Sequence, residues 1–144
     1  IILRNILIMN LVKLIELPYF DDDSGGLVVM ESQSNNIPFE IKRVFNVSSP
    51  KNSIRGKHAH RECTQLLVCN NGSVEVVCDN GIEVCQYTLD KPSLGLLISP
   101  GIWAQQKYIE ENTILTVLCN QTYFESDYIR EYKEFLEFVS NKEK

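Results

Sequence analysis

Apolar and polar residues alternate along most of the chain in short runs, each closed by a turn-forming cluster. Leu11–Leu17 is the first run and leads to Asp21-Asp22-Asp23-Ser24-Gly25-Gly26; Leu27–Glu31 is the second, followed by Ser34-Asn35-Asn36 and Pro38. Between Phe39 and Val47 the alternation is regular, with Ile41, Arg43 and Phe45 on one side and Lys42, Val44 and Asn46 on the other, because successive side chains of a strand point to opposite faces. Pro50-Lys51-Asn52-Ser53 then leads into a strand that carries histidines. Gln65–Asn70, Ser73–Asp79, Ile82–Leu89, Gly95–Ile98 and Thr113–Asn120 continue the series. Asn71-Gly72 and Asn80-Gly81 each separate two runs, and Asn-Gly supplies the positive φ angles of a tight hairpin turn, so both predict hairpins. Short strands at regular spacing, with turn signals between them, predict an all-β sandwich or barrel.

The period changes once. From Asp127 onward Tyr128, Ile129, Tyr132, Phe135, Leu136 and Val139 recur at intervals of three and four, which predicts an amphipathic C-terminal helix over 126–140 packed on the sheet. At the other end, residues 1–10 are apolar but interrupted by Arg4 and Asn5, with no small-residue cleavage site. A stretch this short does not span a bilayer. It reads as an N-terminal extension or a swapped strand, with Met9 a candidate start. The whole chain, 1–144, is expected to form one domain.

Composition removes some function classes. A net charge of −5, without a strongly basic stretch, argues against binding to nucleic acid or to an acidic membrane surface. The five cysteines (Cys63, Cys69, Cys78, Cys85 and Cys119) are odd in number and contain no CxxC pair. They read as free thiols, several buried on strands, in a reducing cytoplasm.

The chemistry is concentrated in one string. Both histidines of the chain fall in Gly56-Lys57-His58-Ala59-His60, and strand geometry puts them on one face, roughly 6–7 Å apart along the backbone. A facing imidazole pair suits either a metal or proton transfer near neutral pH. The His-x-His pair, Gln65, Gly72 and the downstream Pro100-Gly101 turn have the spacing of the two cupin motifs. The chain therefore resembles a small single-domain cupin, which implies a double-stranded β-helix (jelly-roll) barrel with a short C-terminal helix. Metal-dependent cupins would use His58, His60, an acid at 65 and a histidine at 104; this chain has Gln65 and Ala104. Two imidazoles alone make a weak divalent site, so no metal and no other cofactor is expected, and the histidines remain free for acid–base work.

A closer resemblance covers nearly the whole chain. The strings Ile37-Pro38-Phe39-Glu40-Ile41-Lys42-Arg43-Val44, Arg55-Gly56-Lys57-His58-Ala59-His60, Gln65-Leu66-Leu67-Val68 and Ser126-Asp127-Tyr128-Ile129-Arg130-Glu131-Tyr132 are similar to those of the nucleotide-sugar 3,4-ketoisomerases. That resemblance implies action on TDP-4-keto-6-deoxyglucose, moving its carbonyl from C4 to C3, in the supply of dideoxy-aminosugars for lipopolysaccharide and S-layer glycans. The reaction removes the C3 proton, delivers a proton to C4 through an enediol and passes a proton between the two oxygens. A facing His pair meets those needs. His58 and His60 are the catalytic candidates, one as base and the other orienting it or shuttling the oxygen proton, and the resemblance favours His60 as base. Arg43 and Arg55 match family arginines and are candidates for the diphosphate, which guanidinium forks suit. Gln65 is a candidate partner for a sugar hydroxyl, and Trp103 for the wall of the sugar or thymine pocket. Many relatives have Tyr where Phe45 stands, several have His where Ala104 stands, and some have Arg where Gly25 stands. The proton donor and the C4 configuration of the product are therefore open. The rival readings are a non-catalytic sugar-nucleotide-binding cupin and a 3,5-epimerase-like enzyme. Open sheet edges in small cupins invite pairing, so a homodimer is expected.

Overall fold

The computed structural model describes residues 10–142; the extension or swapped strand expected over 1–10 falls outside them, Asn10 apart. In chain order the strands are β1 (Val12–Glu16), β2 (Tyr19–Asp22), β3 (Gly25–Val28), β4 (Arg43–Ser48), β5 (Ile54–His60), β6 (Gln65–Asn71), β7 (Val74–Asp79), β8 (Val84–Leu89), β9 (Leu94–Ile98), β10 (Trp103–Tyr108), β11 (Ile114–Cys119) and β12 (Tyr128–Ile129), followed by helix α1 (Tyr132–Lys142). They form two five-stranded antiparallel sheets, ordered β1-β9-β6-β11-β4 and β12-β5-β10-β7-β8, with β2 and β3 as a separate hairpin. This is the double-stranded β-helix expected from the motif spacing.

The two sheets face each other across one core. Leu67, Cys69, Leu96, Leu115 and Val117 of the first sheet pack with Val74, Val76, Cys78, Ala104 and Tyr108 of the second. The alternate residues of the first sheet, Leu66, Val68 and Leu118, point outward and are covered by Leu17 and Ile37, with Met30, Phe39 and Ile41 packed against them. Both faces of β6 are thus buried, which explains its unbroken apolar run. On the outer face of the second sheet, Ala59, Ile129 and Phe135 form a third cluster with Trp103, Phe138 and Val139.

Three expectations are corrected. Asn71-Gly72 is not a hairpin turn: β6 and β7 lie in different sheets, and the pair carries the chain from one sheet to the other. Glycine is required at 72 for another reason, since φ is +84° and a Cβ would lie 2.3 Å from Thr113 Oγ1. Asn80-Gly81 does join a hairpin, with Asp79 opposite Val84. Strand β10, not expected from the sequence, reads Trp-Ala-Gln-Gln-Lys-Tyr and lacks apolar alternation because part of it faces a polar cavity. The C-terminal helix begins at Tyr132, not 126. Residues 125–127 form a 3₁₀ turn, and Tyr128 and Ile129 pair in register with His60 and Ala59. The free edge of β5 captured this segment, while Ile129 still faces the cluster that holds Phe135, so a helical period survived in a strand.

The early turn cluster is also reshaped. Asp21 to Gly26 holds the end of β2 and the start of β3, and the bend is fixed where Ser24 N donates to Asp22 Oδ1 at 2.8 Å.

Candidate functional site

A cavity of about 160 Å³ opens inside the barrel, lined on one side by Arg43, Phe45 and Val47 of β4 and on another by Arg55, Gly56 and His58 of β5. These residues face inward because Arg43, Phe45 and Val47 alternate with the exposed Val44, Asn46 and Ser48, as the sequence pattern predicted. On β5 the backbone bulges: His58 sits opposite Ala104, yet Gly56 sits opposite Gln105. Gly56 and Lys57 have φ of +89° and +56°, and a Cβ at 56 would lie 2.6 Å from Gln106 Oε1. The extra residue re-aims the strand just ahead of the histidines, a common use of bulges beside functional sites.

Beyond the bulge, alternation resumes. Ala59 turns outward under the helix while His58 and His60 share the inner face, their ring centroids 5.1 Å apart and nearly perpendicular at 85°. His58 stands in the cavity wall. His60 stands beside it, 7% exposed, and its Nδ1 lies 2.8 Å from Asp127 Oδ2. The other oxygen of Asp127 accepts from Glu62 N at 2.7 Å, so the carboxylate is fixed from two sides. With Nδ1 donating to Asp127, the tautomer leaves the Nε2 lone pair free. His60 Nε2 and His58 Nδ1 are both buried without a partner, an uncommon state for polar atoms in a folded interior. Burial is the first cause that depresses both histidines. The neighbouring His60 adds to it for His58, which falls to about 4. For His60 the bond and charge of Asp127 oppose the drop, leaving it below its ordinary value. Both rings are therefore neutral at neutral pH, the state in which an imidazole accepts a proton.

Tyr128 completes the group. Its ring centroid lies 4.5 Å from that of His60 and 5.1 Å from that of His58, and its hydroxyl accepts from Arg43 Nη1 at 3.3 Å. The Arg43 guanidinium also lies over Phe45, 4.6 Å from the ring centroid, and over Tyr123, 5.0 Å away.

The fold thus brings Arg43, Arg55, His58 and Gln65 to one cavity, with His60 beside it. Gln65 Nε2 reaches Cys119 Sγ at 3.5 Å. Trp103 is not brought there: its ring packs against Tyr132 and Phe135 at 5.3 and 5.8 Å, under α1. The large ring fills the gap between sheet and helix, and its reading as a pocket wall is set aside. Four residues of the site were given no chemistry in the sequence. Gln106 and Tyr108 lie on the unrecognised β10, and Asp127 and Tyr128 were read as the start of a helix.

For a metal, His60, Cys63 and Asp127 offer three ligand atoms within 4.8 Å of one another. A cation there would replace the His60–Asp127 hydrogen bond, and His58 is not among the ligands. At the two remaining cupin ligand positions, Gln65 offers an amide and Ala104 no donor.

The chain matches the FdtA family, described as WxcM-like, C-terminal, over residues 10–140. It is 38% identical to TDP-4-oxo-6-deoxy-alpha-D-glucose-3,4-oxoisomerase of Aneurinibacillus thermoaerophilus over 129 residues, 89% of this chain and 92% of that protein. Among solved structures it is similar to QdtA, a sugar 3,4-ketoisomerase of Thermoanaerobacterium thermosaccharolyticum in complex with TDP. The TM-score is 0.88 at 34% identity, over 92% of this chain and 96% of that one. A histidine-to-asparagine variant of the same enzyme, in complex with TDP-4-keto-6-deoxyglucose, superposes with the same TM-score of 0.88, identity of 34% and coverage of 92% and 96%.

Proposed function

The chain belongs to the FdtA family and is a sugar 3,4-ketoisomerase; from that premise we propose that it converts TDP-4-keto-6-deoxyglucose to the 3-keto isomer with His60 as the base. The observation that carries the assignment is the buried His60–Asp127 pair, with an unpartnered Nε2, beside His58 in the cavity wall. Asp127 holds His60 in the tautomer that accepts a proton and stabilises the imidazolium that forms, the work a carboxylate does behind a basic imidazole. His60 takes the C3 proton and returns one to C4, and the neutral His58 ring excludes water and orients the reacting carbons. Arg55, exposed at the rim of the cavity, holds the diphosphate. Arg43 is already engaged by Tyr128 and is placed nearer the sugar. Gln65 hydrogen-bonds a sugar hydroxyl.

The reaction is proposed to need no metal, since proton transfer through an enediol requires only acids and bases. We further place the enzyme in the cytoplasm, feeding deoxyaminosugar synthesis for lipopolysaccharide or S-layer glycans. All five cysteines are free thiols, which suits a reducing compartment. Among the described residues no helix is long and apolar enough to cross a membrane. The working form is proposed to be a homodimer, supported by the β2–β3 hairpin, whose Tyr19, Phe20 and Leu27 are 51%, 63% and 59% exposed.

Proton NMR of the purified protein with TDP-4-keto-6-deoxyglucose, in D₂O with EDTA, tests the reading. The expected result is a 3-keto product with deuterium at C4, whose coupling gives the C4 configuration. Exchange confined to C5 would instead indicate epimerase chemistry. Ligand binding without any exchange would indicate a binding module.

A further inference from the structure

Beside the substrate cavity lies a cluster of which the isomerisation uses only a part. His60, Cys63 and Asp127 bring a nitrogen, a sulfur and a carboxylate oxygen within 4.8 Å of one another, and each residue is 9% exposed or less. The turn after β5 is fastened to Asp127 twice, by Arg61 N on its carbonyl at 2.9 Å and by Glu62 N on Oδ1 at 2.7 Å. That turn delivers Cys63 to the carboxylate whose Oδ2 faces His60 Nδ1. The Cys63 thiol itself donates only a long bond, 3.5 Å, to the Thr64 carbonyl. None of the three is among the residues lining the substrate cavity. A separate hollow of about 300 Å³, walled by Arg61, Glu62, Gln121, Phe124, Ser126 and Asp127, opens on the cluster.

Imidazole nitrogen, thiolate sulfur and carboxylate oxygen together are a donor set for zinc, which takes three protein ligands and water in the fourth place. Calcium and magnesium take oxygen instead. The charges also close: one thiolate and one carboxylate neutralise a divalent ion beside a neutral imidazole, so nothing unpaired is buried. We propose that His60, Cys63 and Asp127 form a zinc-binding site, and that zinc bound there switches the enzyme off. The second half rests on the reading of His60 as base. On binding, the Cys63 thiol loses its proton to solvent and its sulfur bonds to the ion. His60 Nδ1 and Asp127 Oδ2 bond to the ion in place of their hydrogen bond. The proton displaced from Nδ1 is then carried on Nε2, the atom that has to accept one from C3. One proton leaves for each zinc bound, and no electrons move. His58, Gln65 and Ala104 stand outside this cluster, so it is not the metal position of the cupin motifs.

The test adds zinc chloride to the full chain after chelator treatment. Calorimetry in two buffers should show one zinc per chain and release of about one proton, as thiol ligation requires. At saturating zinc kcat should fall about 10²-fold or more, the worth of a positioned base, with KM unchanged because the ion lies off the substrate cavity. EDTA should restore turnover. Cys63→Ser keeps the size of the side chain; it should turn over like wild type in EDTA and lose both the binding and the inhibition. Should that variant fold poorly, cobalt(II) chloride reads the same site in the wild type. A thiolate-to-cobalt charge-transfer band that grows as turnover is lost supports the site, and its absence overturns it. Inhibition that persists in Cys63→Ser, or that raises KM alone, places the ion on the cavity histidines and overturns the proposal. In these cases wild-type turnover in EDTA leaves the ketoisomerase reading standing. Zinc held through Cys63 at full turnover overturns the switch, and the role of His60 as base with it. Turnover that needs zinc overturns the switch and the metal-free reaction together.

Discussion

The carboxylate of Asp127 does two jobs with two oxygens, one on His60 Nδ1 and one on the Glu62 amide. Asparagine keeps one acceptor and turns the other into a donor. With its oxygen retained by the Glu62 amide, its NH₂ faces Nδ1 and forces the proton onto Nε2, which removes the lone pair the base needs. Asp127→Asn should therefore lower kcat by about 10²–10⁴-fold, the contribution of a positioned base, with little change in KM, as steady-state kinetics will show. The pH dependence follows from the same two rings. His58 is lowered to about 4, and His60 is lowered from its ordinary value, so the acid limb of kcat/KM should lie below the 6.5 of a free imidazole. For stability the unfolded chain binds more protons than the folded one between about 4 and 6.5, so stability rises with pH across that window. It is complete above 6.5 and lost as pH falls, with His58 contributing up to about 3 kcal/mol at one pKa unit per 1.36 kcal/mol. Urea melts at pH 5 and pH 7.5 should show the difference, and His58→Asn should shrink it. The histidines were legible in the sequence because two residues of one rare type, spaced by two, can share a face only on a strand. Asp127 was not, because its meaning depends on a contact spanning 67 positions.

At the scale of the elements, the sequence pattern was reliable where a strand has one wet and one dry face. It failed where a strand faces a polar cavity or borrows a neighbour's edge. β4 was legible residue by residue, since Arg43, Phe45 and Val47 alternate with exposed positions. β10 was not, because Gln106 and Tyr108 line the cavity and interrupt any apolar run. β12 was mistaken for helix because Ile129 and Phe135 reach one cluster from two different elements. The Gly56-Lys57 bulge is the device that joins fold to chemistry, and it gives an element-scale prediction. Gly56→Ala would place a Cβ 2.6 Å from Gln106 Oε1 and 3.1 Å from the Ala104 carbonyl at a φ of +89°. The backbone strain alone costs about 1–3 kcal/mol. The larger effect should be on kcat, because any relief of the strain swings His58 and His60. Thermal melts read the first effect and turnover reads the second. Phe135→Ala probes the opposite side of the same strands. It empties a fully buried aromatic site against Ala59 and Ile129 and should cost about 3–5 kcal/mol. It should also weaken activity, since Ile129 anchors the strand that carries Tyr128.

At the scale of the whole molecule, the proposed homodimer turns on an apolar patch that lies away from the barrel core. The β2–β3 hairpin stands apart from both five-stranded sheets, and it presents Tyr19, Phe20 and Leu27 to solvent at 51%, 63% and 59% exposure. Exposed side chains of that size, gathered on one small element, are the mark of an interaction surface. A second copy of the chain is the simplest occupant, because a two-fold axis lets the same patch serve both sides. Charge repulsion then gives a clean test. Phe20→Asp with Leu27→Asp adds two negative charges per chain, and in a symmetric pair those charges meet their own copies. The barrel core lies elsewhere, so the folded monomer should keep its circular dichroism spectrum and cooperative melt. Sedimentation equilibrium should show the wild type at twice the chain mass and the double variant at the chain mass. If the hairpin only shields the protein from solvent, both will sediment alike. If monomers form and turnover falls with them, the hairpin supports the site as well as the contact; if turnover is unchanged, each barrel works alone and the pairing serves stability.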